Sequence, residues 1–150
     1  ELTLADITRY IASVSANESA LKMRELSYIN TMAISAGELK HGTIALIDDE
    51  MNIIAFGSNS NSQLLLEKTI SNIEEVVARN GKVIFIADKD SIAQIKHLLS
   101  DAITIPKLEN IMQEAIVPIV ATQLLAYFVS LYLGNDVDQP RNLAKSVTVE

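Results

Sequence analysis

Cysteine is missing from all 150 residues, and histidine occurs only twice, at His41 and His97. Without thiols there is no disulfide, no thiolate metal site and no cysteine nucleophile, and two histidines are too few for a histidine-rich metal centre. No metal and no cofactor is therefore expected. Positive charge is also scarce, with 12 Lys and Arg against 19 Asp and Glu, a net charge of −7 and no long basic run. Phosphate neutralisation needs clustered cations, so nucleic acid is not expected as a partner. The start, Glu1-Leu-Thr-Leu-Ala-Asp6, lacks both a methionine and a basic region ahead of an apolar core. It is not a signal peptide, and it reads as a piece of something longer.

What is present suits one soluble, cytoplasmic domain with a proper core: 49% hydrophobic and 21% charged residues. The nineteen residues from Ala115 to Leu133 carry no charge. That length approaches a bilayer span, but Pro118, Thr122, Gln123 and Ser130 interrupt it and its flanks are acidic. A buried or interface helix is expected there, with no membrane partner.

Four short apolar runs, Ile44–Ile47, Asn52–Phe56, Val83–Ala87 and Ala102–Ile105, are nearly continuous rather than alternating. Strands covered on both faces read this way. Helical patterns lie between them. Ser62–Arg79 sets Leu65, Ile70, Ile73, Val76 and Val77 against Glu67, Lys68, Glu74, Glu75 and Arg79, and Asn80-Gly81 ends it with residues tolerant of positive φ. Ser91–Leu99 and Leu108–Leu133 follow, the latter with an expected kink near Pro118. Strand–helix alternation predicts an α/β fold, a three-layer αβα sandwich with a mostly parallel sheet. Upstream, Arg9–Val14 reads as a strand and Asn17–Asn30 as a helix. The loop Ser58–Ser62, between strand and helix, has two readings: an anion site at a helix N-terminus, or a solvated turn with an N-cap.

Several residues can carry chemistry. Glu18, Lys22 and Glu25 fall at i, i+4 and i+7, on one helix face. That pattern fits a surface salt-bridge ladder or an edge facing a site. His41 sits between Gly37 and Gly42, which let the backbone turn tightly and another group approach. Residues 136–150 are polar, hold Pro140, and place Lys145 five residues from the end. They are either a loose tail or an arm folded over a site with a reactive amine. A lysine amine forms Schiff bases with carbonyl substrates. At the ordinary pKa only about one lysine in 2,500 is neutral at pH 7, so a working Lys145 needs burial or a cation such as Arg141 or Lys22 beside it. Glu25 would move a proton between adjacent carbons, and His41 would open a sugar ring. Aldose–ketose isomerisation is the reaction these groups suit.

Leu21-Lys-Met-Arg-Glu-Leu-Ser-Tyr-Ile29, Ala36-Gly-Glu-Leu-Lys-His-Gly-Thr-Ile-Ala-Leu-Ile47, Ser71-Asn-Ile-Glu-Glu-Val76 and Asp136 through Glu150 together resemble one family. It is the glutamine–fructose-6-phosphate aminotransferases (isomerising), at the second of their two sugar-isomerase (SIS) domains. The resemblance covers nearly the whole chain. It implies a SIS-type, Rossmann-like domain over residues 1–135 and an active-site tail over 136–150. Lys145 would form the Schiff base with fructose 6-phosphate, beside the backbone of Ala144. Glu25 would shuttle the proton between C1 and C2. His41 would assist ring opening in the neighbouring subunit of a homodimer, with Lys22 and Glu18 in support.

The sequence departs from the family in having no glycine before Gly37, where a strand and a glycine-containing turn are usual, and Thr43 where proline is usual. The family's phosphate-binding loop lies in the first SIS domain and its glutaminase nucleophile is a cysteine; neither is in this chain. Those two domains are the expected partners on the same polypeptide. The expectation is thus a part of an enzyme that makes glucosamine 6-phosphate, inactive alone. The alternatives are a non-catalytic sugar-phosphate-sensing SIS module and a dimerisation module. The trio Glu25, His41 and Lys145 favours the first, because a sensor has no need of a terminal amine.

Overall fold

The computed structural model describes residues 4–57 and 63–141, with side chains from Tyr10 onward. Among the described residues there are four α-helices and three strands: α1 Leu4–Lys22, β1 Asn52–Phe56, α2 Gln63–Val77, β2 Lys82–Ala87, α3 Lys89–Ile95, β3 Asp101–Thr104 and α4 Ile111–Tyr132. The strands form one sheet in the order β1-β2-β3, all parallel, with Ile53 opposite Val83 and Phe85 opposite Ala102. Parallel neighbours need crossovers, and α2 and α3 supply them.

The apolar strands are continuous because both faces of the sheet are covered. On one face Val83, Phe85 and Ala87 pack with Leu66, Ile73 and Val76 of α2 and Ile95 of α3. On the other, Ile86 packs with Ile105 and Leu108, joined by Ile54, Phe56 and Val117 of α4. Val83, Phe85 and Ile86 are fully buried, each contributing about 1.5–3 kcal/mol relative to exposure. The three-layer αβα architecture is the one expected.

Helix ends follow local chemistry. Asn80 adopts φ 66°, Asn80 N–H donates to Val77 O, and Gly81 N–H donates to Val76 O, which closes α2. Gly134 at φ 74° does the same for α4, with its own N–H on Leu131 O and Asn135 N–H on Ser130 O. Asn110 caps α4 through the amides of Met112 and Gln113. Asp88 caps α3, accepting from the amides of Asp90 and Ser91 and from Ser91 Oγ at 2.5 Å.

Two expectations fail. Ile44–Ile47 is not a strand: Thr43–Leu46 is a 3-10 turn, entered through Gly42 at φ 133°. The turn lets Ile44 and Ile47, three apart, both face the core while Ala45 and Leu46 face out. Nor is Arg9–Val14 a strand; it lies within α1. The helix expected over Asn17–Asn30 starts earlier and ends in a π-helical turn, Met23–Ser27, stopped by Tyr28 at φ 61°. Helix α4 runs unbroken through Pro118 and is long and apolar enough to cross a bilayer. In this fold it packs against α1 on one side and the sheet on another.

Two tests follow from this packing. A Cβ on Gly57 would stand 2.1 Å from Phe85 Cζ. Gly57→Ala should therefore cost about 1–3 kcal/mol in urea unfolding, while Gly37→Ala, with nothing within 4 Å of its added Cβ, should stay within about 0.5 kcal/mol. Burial alone would raise the Asp88 carboxyl, but hydrogen bonds from Ser91 and Asp90 outweigh it and hold the pKa below the ordinary 3.8. A depressed carboxylate stabilises the fold above its unfolded value and loses that contribution as pH falls through its folded value. Asp88→Asn should flatten the loss of stability seen below about pH 4.

Candidate functional site

The centre of the candidate site is the end of α1. Ser15 Oγ donates to Ala115 O, and the hydroxyls of Ser19 and Thr122 lie 2.6 Å apart, so buried polar contacts lock α1 to α4. Beyond them the helix widens into the π turn, where Ser27 Oγ donates to Met23 O. Glu25, in that turn, meets Lys22 at the i, i+3 spacing: Nζ to Oε2 is 2.9 Å, and Glu18 Oε1 lies 3.7 Å from the same ammonium. The three side chains expected on one face are thus joined. The hydrogen bond to Glu25 leads the effects that raise the Lys22 pKa above its ordinary value, and burial only partly opposes it. At neutral pH Lys22 is a held cation and not a nucleophile.

The far end of the chain returns to this turn. Ser130 Oγ donates to Leu26 O, and Asn135 Nδ2 donates to the same carbonyl at 3.2 Å. Asp136 then turns the backbone by accepting from the amides of Asp138 and Gln139, and Pro140 is buried. Arg141 N–H donates to the Tyr28 hydroxyl at 2.9 Å, while its guanidinium carbon sits 3.7 Å from the centroid of the Tyr28 ring. So residues 135–141 are fastened to Leu26 and Tyr28, one and three residues beyond Glu25. Ala144 and Lys145 lie outside the described residues, as does the loop Ser58–Ser62.

His41 is elsewhere. It is exposed, in the 3-10 turn Leu39–His41, and makes no side-chain hydrogen bond or ion pair with Glu18, Lys22 or Glu25 among the described residues. Its neighbour Lys40 bonds Glu75 of α2 at 2.6 Å, which ties this loop to the opposite helical layer. Among the described residues no cluster of acidic and histidine side chains could hold a metal ion. Sequence reasoning missed Tyr28, Asn135 and Ser130. Gly134-Asn135 after a long helix is a legible stop signal, but nothing in the sequence marks Leu26 O as its acceptor.

The parallel sheet and its two helical layers define a class. The SIS domain model matches residues 9–131, and the chain belongs to that family. Its relatives are specific within it. The glutamine–fructose-6-phosphate aminotransferase (isomerizing) of Thermus thermophilus is 49% identical over 142 residues, covering 95% of this chain and 23% of the enzyme. That of Idiomarina loihiensis is 52% identical over 138 residues, covering 90% and 21%. The C-terminal domain of glucosamine-fructose-6-phosphate aminotransferase from Francisella tularensis superposes with a TM-score of 0.74 at 33% identity, covering 90% of this chain and 41% of that one. The chain spans between a fifth and a quarter of the length of the curated relatives it matches.

The tail clamp can be tested directly. Tyr28→Phe removes the acceptor for Arg141 N–H and keeps the ring. One net hydrogen bond is worth about 1 kcal/mol, so exchange of the Arg141 amide should accelerate about fivefold, with amides in β2 unchanged. Tyr28→Ala, which also loses the ring contact, should accelerate it further.

Proposed function

We propose that residues 1–135 act as the second SIS domain, and residues 136–150 as the active-site tail, of a cytoplasmic, homodimeric glutamine–fructose-6-phosphate aminotransferase (isomerising). The observation that supports this most is the clamp of Arg141 on Tyr28. Lys145 follows Arg141 by four residues, and four residues span at most about 14 Å. The clamp supports this reading because the chain from Arg141 is long enough for a Lys145 amine to reach the turn that carries Glu25. A sugar-sensing module needs no such arrangement, which favours the catalytic reading.

In this reading the Lys145 amine adds to the C2 carbonyl of open-chain fructose 6-phosphate and expels water to give a Schiff base. Ammonia then adds at C2 and expels the Lys145 amine, leaving a free imine of the sugar. Glu25 takes the C1 proton and returns it to C2, which gives the 2-amino aldose, with the backbone beside Ala144 lining the sugar. Lys22, fixed by Glu25 and Glu18 as a cation, favours the neutral form of an amine brought near it. His41, exposed and apart from Glu25, suits ring opening in a neighbouring subunit. The phosphate is held by the first SIS domain, and ammonia comes from the glutaminase domain, both on the same polypeptide.

Borohydride trapping with fructose 6-phosphate, read by peptide mapping, tests the reading in two arms. The chain alone should give no adduct, because the phosphate site is on another domain. Grafted in place of the matching region of the Thermus thermophilus enzyme, it should give a reduced adduct on Lys145 and form glucosamine 6-phosphate. Lys145→Ala should abolish the adduct, and Glu25→Gln should slow turnover at least a hundredfold while trapping persists. A folded, dimeric graft with no adduct on Lys145 would sink the proposal.

A further inference from the structure

Little besides apolar packing holds the segment that carries His41. Among the described residues, the backbone hydrogen bonds of residues 35–47 are all local turns: Glu38 N–H on Ser35 O, His41 N–H on Glu38 O, Ala45 N–H on Gly42 O and Ile47 N–H on Ile44 O. Glycines bound the turn on both sides, Gly37 with open space around it and Gly42 at φ 133°. Between them, two consecutive residues dock on the layer of α2. Leu39 packs against the core that holds Leu66, Ile73 and Val76, and Lys40 Nζ lies 2.6 Å from Glu75 Oε1. That ion pair is the one polar contact that leaves the segment among the described residues.

The pair does little for stability, because its side chains are 48% and 35% exposed and solvent screens them. Its effect is directional. An apolar contact such as that of Leu39 is a pivot about which a short turn can rock, since burial has no preferred direction. A charge-assisted hydrogen bond from the next residue removes that rotation. His41 follows directly in the same 3-10 turn, and its imidazole is exposed, with no hydrogen-bond partner in its own protomer among the described residues. We propose that Lys40 and Glu75 are positioning residues for ring opening, which aim the His41 imidazole across the subunit boundary at the cyclic sugar phosphate. This rests on the role proposed above for His41. Opening breaks the C2–O5 bond, forms the C2 carbonyl and moves the anomeric hydroxyl proton to O5. An imidazole serves by accepting that proton and returning it to O5, which requires hydrogen-bond reach of both oxygens. An open-chain substrate skips the step, so the pair matters only for the cyclic form.

The Thermus thermophilus enzyme carrying this chain in place of its matching region tests the proposal with two substrates. Fructose 6-phosphate is mostly cyclic, whereas 5-deoxyfructose 6-phosphate lacks the hydroxyl that closes the ring. Lys40→Met and Glu75→Gln should each lower kcat/KM for fructose 6-phosphate about fivefold, the upper range for an exposed pair. Both should leave the open-chain substrate within about twofold. The double variant should lose no more than either single one, because both remove one interaction, and Lys40→Arg should keep most of the rate. Equal losses on both substrates, single losses that multiply in the double variant, or no loss on fructose 6-phosphate would overturn the proposal. His41→Ala separates its failure from that of the role beneath it. If His41→Ala slows fructose 6-phosphate selectively and the pair variants do not, only the positioning fails. If His41→Ala is silent as well, the ring-opening role falls and the proposal falls with it.

Discussion

The carbonyl of Leu26 organises the molecule. It accepts from Ser130 Oγ and Asn135 Nδ2, residues more than 100 positions away. A backbone carbonyl inside a regular helix is already engaged by the amide four residues on. The π turn over Met23–Ser27 and the left-handed Tyr28 end that ladder and leave Leu26 O for α4. The same irregular turn carries Glu25, paired with Lys22, and presents the Tyr28 ring to Arg141. One local departure from helical geometry therefore anchors residues 135–141 beside the carboxylate and the held cation.

Helices α1 and α4 meet through polar and small groups instead of an apolar seam. Glu114, Pro118, Thr122, Ala126 and Ser130 are buried at intervals of four along α4, and Ser15, Ser19, Met23 and Ser27 at intervals of four along the opposing chain. Outward, α4 shows Ile116, Val120, Leu124 and Phe128, and α1 shows Tyr10, Val14 and Leu21. This inverts the usual amphipathic pattern. Buried hydroxyls must find acceptors, so Ser15, Ser19 and Ser130 fix the register of the pair in a way that interchangeable leucines would not. That fixed register is what brings Leu26 under Asn135.

The inversion explains which parts of the fold were legible. Strands β1, β2 and β3 and helix α2 obey simple rules, apolar where covered and charged where wet, and their positions follow from the sequence. Helix α1 does not. Its inward face is serine and alanine, its outward face includes Tyr10 and Val14, and the β-branched residues near Ile11 then read as a strand. Ile44–Ile47 misleads for another reason. Four apolar residues are too few to separate a period of two from a period of three, and the Gly42 backbone, at φ 133°, decides for the turn.

The candidate site divides along the same line. Glu18, Lys22 and Glu25 were legible because side chains three and four apart on a helix must meet, and they do. His41 was legible as a residue type in a glycine-flanked loop, but not its place, which the Lys40–Glu75 ion pair fixes against α2. The clamp was not legible at all. Its acceptors are a backbone carbonyl, which every residue has, and a tyrosine hydroxyl that sequence spacing cannot aim. Yet the clamp bears most on chemistry. A neutral lysine amine is rare in water, so a nucleophilic lysine on a polar tail works only if something rigid delivers it to its cationic and basic neighbours. On the proposed reading, Tyr28 and Leu26 hold residues 135–141, the approach to Lys145, beside the carboxylate that its amine would need.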